Sequence, residues 1–152
     1  MDNITLPKDF KEFLQLLNEK SVKYLLVGGF AVGLYGYVRA TADIDIWISS
    51  AQENAEKVVE VFREFGFASS GVQAEWFTRP NDIFTLGVSP VKIELMTAIS
   101  GVEFEECFAA RRLVELDGIP VNLINLKHLR QNKAASGRLK DLADLKALPQ
   151  DL

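Results

Sequence analysis

The tightest constraint on this chain lies between residues 24 and 48. An apolar run, Tyr24-Leu25-Leu26-Val27, stops at Gly28-Gly29, and after thirteen intervening residues comes Asp43-Ile44-Asp45-Ile46-Trp47-Ile48. Side chains two apart on a β-strand share a face. Asp43 and Asp45 therefore project together, while Ile44 and Ile46 turn toward a core. Adjacent carboxylates repel each other, and partial burial strips them of water. A divalent cation relieves both costs, and oxygen donors of this kind suit Mg²⁺ or Mn²⁺. Gly28 and Gly29 accept backbone angles that other residues avoid, and at a helix start they leave N–H groups open to a phosphate. A phosphate cradle and a metal-binding strand thus adjoin in sequence, as a metal–nucleotide site requires.

The rest of the pattern alternates helix and strand signals. Residues 7–20 carry Phe10, Phe13, Leu14, Leu16 and Leu17 near helical spacing, with Pro7 suited to the first turn. Residues 22–27 read as a buried strand, 30–36 as a short helix and 41–48 as the aspartate strand. Ser49-Ser50 is placed to cap a helix running to about Phe65, where Gly66 ends it. Residues 67–80 fit a strand or a loop. Residues 83–88 and 91–96 suggest a hairpin across Ser89-Pro90. A helix is expected over 102–111, then a hairpin turning at Asp117-Gly118. Asn125 caps a helix to about Ala135, and a last helix spans 138–148. The expected fold class is α/β (α+β): a mixed sheet flanked by helices, with the final helices at the C-terminal end.

At 152 residues the chain is read as one domain over residues 1–152, long enough for a real core. Hydrophobic residues make 48% and charged residues 25%, with a net charge of −4, which argues against strong non-specific nucleic-acid binding. The charge is unevenly spread. Residues 127–146 hold Lys127, Arg130, Lys133, Arg138, Lys140 and Lys146 against Asp141 and Asp144, so a basic C-terminal segment is expected to face an acidic body across a cleft. A single cysteine, Cys107, is expected to be buried in a helix. No run reaches membrane-spanning length and no signal peptide is seen, so a cytoplasmic location is expected.

Gly28-Gly29, a thirteen-residue gap and Asp43-Ile44-Asp45 together resemble the signature of the nucleotidyltransferase superfamily, the DNA polymerase beta-like fold. The resemblance is to its small stand-alone bacterial types, namely the AbiEii-type toxin and antitoxin enzymes and the aminoglycoside and lincosamide nucleotidyltransferases. It implies a nucleotidyltransferase fold and transfer of NMP, with AMP from ATP as the expected case, to a hydroxyl acceptor. It also implies a third carboxylate from a later strand, a place that Ile93-Glu94-Leu95 fills. Asp43, Asp45 and Glu94 would then be the catalytic and metal-binding set, holding two Mg²⁺ or Mn²⁺ ions. Gly28, Gly29, Arg39, Lys133 and Arg138 would bind the nucleotide, with Lys140 a further cation. Lys133 to Asp141 is similar to the end of the AbiEii-type and related chains. This sequence departs from the pattern at two places: glutamate stands where aspartate is usual, and Gly28-Gly29 replaces Gly-Ser.

The acceptor is open among a partner protein, a tRNA end and a small molecule. The chain's size suggests that a partner chain or a homodimer completes that side. The alternative reading is a non-catalytic nucleotide-binding or antitoxin-like module that keeps the fold. Lys92 and His128 are expected to be solvated or capping residues, and Trp47 to lie in the core.

Overall fold

The computed structural model describes residues 5–36, 43–67, 71–88 and 91–151. The first helix, α1 (Lys8–Glu19), opens at Pro7 and buries Phe10, Phe13, Leu14 and Leu17 along one stripe. Strand β1 (Tyr24–Val27) is buried throughout and runs straight into α2 (Gly28–Leu34). Strand β2 (Asp43–Ile48) leads to α3 (Gln52–Phe62), after which Gly66 takes φ 109° inside a wide turn, Arg63–Phe67. The ambiguous stretch 67–80 holds a single 3₁₀ turn, Ala74–Phe77, among its described residues. Strands β3 (Ile83–Val88) and β4 (Val91–Met96) follow, then α4 (Phe104–Ala109). Strands β5 (Arg112–Leu116) and β6 (Ile119–Leu123), α5 (Leu126–Ser136) and α6 (Leu139–Ala147) complete the chain.

The six strands form one sheet in the order β3-β4-β2-β1-β6-β5. It is mixed: β1 with β2, β3 with β4 and β5 with β6 are antiparallel, whereas β2 with β4 and β1 with β6 are parallel. Asp117 and Gly118 both take positive φ, 51° and 80°, as a tight two-residue hairpin turn demands. On one face, Ile44, Ile46 and Ile48 are fully buried, and Phe13 meets the rings of Phe62 and Phe65 edge-on. The other face of β2 carries Asp43, Asp45 and Trp47. There Trp47 is 2% exposed, as expected of a core residue, and meets Phe104 of α4 at 5.1 Å and 90°. One side of β2 is thus core, and the other changes from charged to apolar within two residues.

Two local expectations are corrected. Ser49 and Ser50 do not cap α3; its N-cap is Ala51, with no side-chain acceptor. Ser49 Oγ instead accepts from the Ala51 N–H at 3.3 Å. The anchoring passes to buried Asn54, one turn in. Its Oδ1 accepts the Lys23 N–H at 2.7 Å, and its Nδ2 donates to the carbonyls of Lys23 at 3.1 Å and Ser49 at 2.9 Å. His128 is also not a surface residue. It is 6% exposed inside α5, although its N–H does receive the expected cap from Asn125 Oδ1 at 2.7 Å. Cys107 is buried as expected. Among the described residues no helix is long and apolar enough to cross a membrane.

Asn54 serves three backbone groups where β1 begins and β2 ends; the Lys23 carbonyl also accepts the Ser49 N–H at 3.2 Å, so Asn54→Ala strips the side-chain partner from the Lys23 N–H and the Ser49 carbonyl. The expected loss is about 2–4 kcal/mol of unfolding free energy, read from the urea midpoint at unchanged slope.

Candidate active site

The site is built by the parallel pairing of β2 and β4. Asp45 lies beside Glu94 and Asp43 beside Lys92, so four charged side chains share one sheet face. All four are partly buried. Nothing local in β4 produces this; it follows from the register between strands about fifty residues apart in the chain. The Lys92 ammonium stands 3.8 Å from Asp43 Oδ2 and 3.6 Å from Glu94 Oε1. Sequence reasoning took Lys92 for a solvated residue, yet the signal was present, since Lys92 and Glu94 are two apart on a strand and must share a face.

Gly28 forms the floor beside them. Val27 pairs with Asp45, and Gly28 then turns at φ 71° into α2. A Cβ on Gly28 would fall 2.7 Å from Asp45 Cγ and closer still to Oδ2. Glycine is thus required twice, once by the left-handed backbone and once by the carboxylate lying against it. Helix α2 has no side-chain cap at Val27, and Gly28 and Gly29 line the cleft.

The opposite wall comes from the C-terminal helices. Lys133, Arg138 and Lys140 line the same cleft, about 480 Å³, as Gly28, Gly29, Asp43, Asp45 and Glu94. The basic segment and the acidic face do meet across it. The three cations are not equivalent, however. Lys133 is 4% exposed and ion-paired at 2.9 Å to Asp141 Oδ1 and 3.2 Å to Asp144 Oδ2. Asp141 Oδ2 accepts from the Ser136 hydroxyl and, at 2.8 Å, from Arg138 Nε. The Arg138 side chain is otherwise 77% exposed, and Lys140 is exposed on the wall. Arg39 lies outside the described residues. Sequence reasoning named Lys133 but not its two buried aspartate partners, which are eight and eleven residues further on, beyond the Gly137 break.

The electrostatics follow from this arrangement. Burial, then Glu94 and then Asp43 push the Asp45 carboxyl up to about 6, while Lys133 and Lys140 pull it back in part. Burial would also raise Asp141, but the Ser136 hydroxyl and Lys133 outweigh it and hold Asp141 down at about 2. The acidic face is therefore short of positive charge, and the helical wall is internally neutralised. Three hard oxygen donors on one face suit a hard divalent cation. As they stand among the described residues, no three His, Cys, Asp or Glu side chains converge closely enough to ligate one ion.

Two outcomes are expected. Gly28→Ala forces a left-handed alanine against Asp45, costing about 1–2 kcal/mol in the backbone alone and displacing the carboxylate; calorimetric Mn²⁺ titration and denaturant melts of the variant check both effects. Asp45 has its folded-state pKa raised above its unfolded value, so the native state holds the extra proton between about pH 4 and 6. Stability is therefore lost as pH rises through that window. With solvent screening, Asp45→Asn should stabilise the metal-free protein by about 1–2 kcal/mol at pH 7. The gain should fade toward pH 4, as read from melts across pH.

The fold has solved relatives. It superposes on a Thermotoga maritima protein, TM1012, described as a nucleotidyltransferase, with a TM-score of 0.59 and 18% identity over 91% of this chain and 88% of that one. The antibiotic-resistance factor ANT(2'')-Ia matches with a TM-score of 0.56 and 13% identity, over 91% of this chain and 79% of its own. The lincosamide antibiotic adenylyltransferase LnuA, in its lincomycin-bound structure, matches with a TM-score of 0.55 and 14% identity over 95% and 96% of the two chains. At such identities the likeness is one of fold. A search of curated protein sequences found no match. The model of one family, described as nucleotidyl transferase of unknown function (DUF2204), spans residues 7–151, and the chain belongs to that family of nucleotidyl transferases.

Proposed function

We propose that residues 1–152 act as a single catalytic domain, a cytoplasmic, divalent-metal-dependent nucleotidyltransferase moving AMP from ATP to a hydroxyl acceptor. The observation that carries this reading is the register of β2 and β4. It sets Asp45 beside Glu94, with Asp43 on the same face, in a cleft that also holds Gly28-Gly29 and the cationic edge of α5 and α6. The donor is read as ATP because LnuA, a fold relative, is an adenylyltransferase.

Asp43, Asp45 and Glu94 would hold Mg²⁺ or Mn²⁺, which supplies charge neutralisation on the triphosphate and acidifies the acceptor hydroxyl. Burial first, and then the neighbouring Glu94 and Asp43, raise the Asp45 carboxyl, and a bound cation would offset all three costs. In the transfer, the acceptor oxygen forms a bond to the α-phosphorus and the bond to the β-phosphate oxygen breaks. Pyrophosphate leaves with the electron pair. Glu94 takes the acceptor proton. Backbone N–H groups at Gly28-Gly29 orient the phosphates, and Lys140 and Arg138 balance charge on the leaving group. Lys133 also lines the cleft, and its pairing with Asp141 and Asp144 holds the α5–α6 corner that carries Arg138 and Lys140.

Incubation with Mg²⁺ and ATP labelled at the α- or the γ-phosphate tests the reaction. Only α-label should pass to an acceptor, with pyrophosphate released in step. Asp45→Asn should lower transfer by roughly 10²–10³-fold or more while the far-UV spectrum stays native. Full activity in Asp45→Asn, or transfer of γ-label, would overturn the reading.

A further inference from the structure

Lys92 is the residue on the acidic face that the reaction as described leaves unused. Its ammonium lies between Asp43 Oδ2 and Glu94 Oε1, at 3.8 and 3.6 Å, with its side chain 31% exposed. Both acids belong to the set assigned to the cation, and they come from different strands. The carboxylates share a face, yet no three of them gather tightly enough to ligate an ion. A monovalent cation, the Lys92 ammonium, already stands between two of them, at ion-pair distances.

We propose that Lys92 is a positioning residue of the metal centre, bridging Asp43 and Glu94 in the metal-free protein and leaving that bridge for the two carboxylates to close on a divalent cation. The proposal rests on the reading of Asp43, Asp45 and Glu94 as cation ligands. Its physical basis is competition, because a fixed positive charge within a few ångströms of the site opposes a second one through a partly desolvated medium. The lysine stem has four rotatable methylenes, so the ammonium can swing aside without backbone movement. The residue opposite Lys92 on β3 is Gly87, which presents no side chain to obstruct it. Lys92 thus weakens metal affinity while sparing the empty site the repulsion of unscreened acids.

The test compares wild type, Lys92→Gln and Lys92→Arg by calorimetric titration with Mn²⁺ alone, alongside thermal melts with and without the metal. Lys92→Gln should bind Mn²⁺ at least roughly tenfold more tightly than wild type. It should also melt lower without metal and gain more from Mn²⁺. Lys92→Arg keeps the charge and should stay within about twofold of wild type. A lysine that merely supports the strand would lower the melting point without tightening metal binding. Equal or weaker Mn²⁺ affinity in a folded Lys92→Gln therefore overturns the role of Lys92 and leaves the metal site standing. Mn²⁺ bound by neither protein overturns the metal-site reading and this inference with it.

Discussion

Like-charge repulsion on one face of a β-sheet is the constraint that the rest of this molecule answers. Asp43, Asp45 and Glu94 are partly out of water and close enough to push the Asp45 carboxyl up to about 6. A sheet tolerates such a patch only if its other face supplies the stability. Here it does: Ile44, Ile46 and Ile48, interleaved with the acids on the same strand, are fully buried in the core cluster that also holds Phe13 and Phe62. One strand thus carries both the strongest apolar anchoring and the charge crowding, a conflict of the kind usually met at functional sites.

The C-terminal corner resolves a second charge problem in the opposite way. Lys133 is buried, and a buried ammonium without partners would be far too costly. Asp141 and Asp144 pair with it, and Ser136 and Arg138 fill the remaining positions on Asp141. The network neutralises itself, so α5 and α6 dock firmly across the Gly137 break, where φ is 68°. Of the cations that line the cleft, Lys133 is buried and paired to two aspartates, whereas Arg138 and Lys140 are exposed there. Acidic floor and basic wall are electrostatically complementary because only one of them is saturated from within.

Much of this was legible in the sequence, and the limits of legibility follow a physical line. Features set by neighbours two to four residues apart could be read directly. The shared face of Asp43 and Asp45, the stripe of α1, the Asp117-Gly118 turn and the Asn125 cap are of that kind. The expectation of a mixed sheet with flanking helices, and of a nucleotidyl transferase family, also held. Features set by distant pairing could not be read. The setting of Glu94 beside Asp45 depends on inter-strand register and was expected only through the family resemblance, and the burial of Lys133 depends on two aspartates beyond a helix break. Burial of His128 depends on which side of α5 meets the body, and a weakly amphipathic helix leaves that undecided. The Ser49-Ser50 cap failed because the helix begins one residue later, with Ala51 as its N-cap, and Ser49 Oγ is engaged by the Ala51 N–H instead.

The departure at position 94 now has a structural companion. Residues two apart on a strand lie about 6.6 Å from each other along its axis, a span that two short side chains do not close. Here the long Lys92 and Glu94 side chains close it, meeting at 3.6 Å. Glu94 and Lys92 thus form one device: the longer acid reaches the ammonium, and the ammonium reaches across to Asp43 on the neighbouring strand. The same added length lets the carboxylate turn away from the lysine and toward Asp45, its lateral neighbour. Glu94 thus stands between two groups on the same face, the Lys92 ammonium and the lateral Asp45 carboxylate.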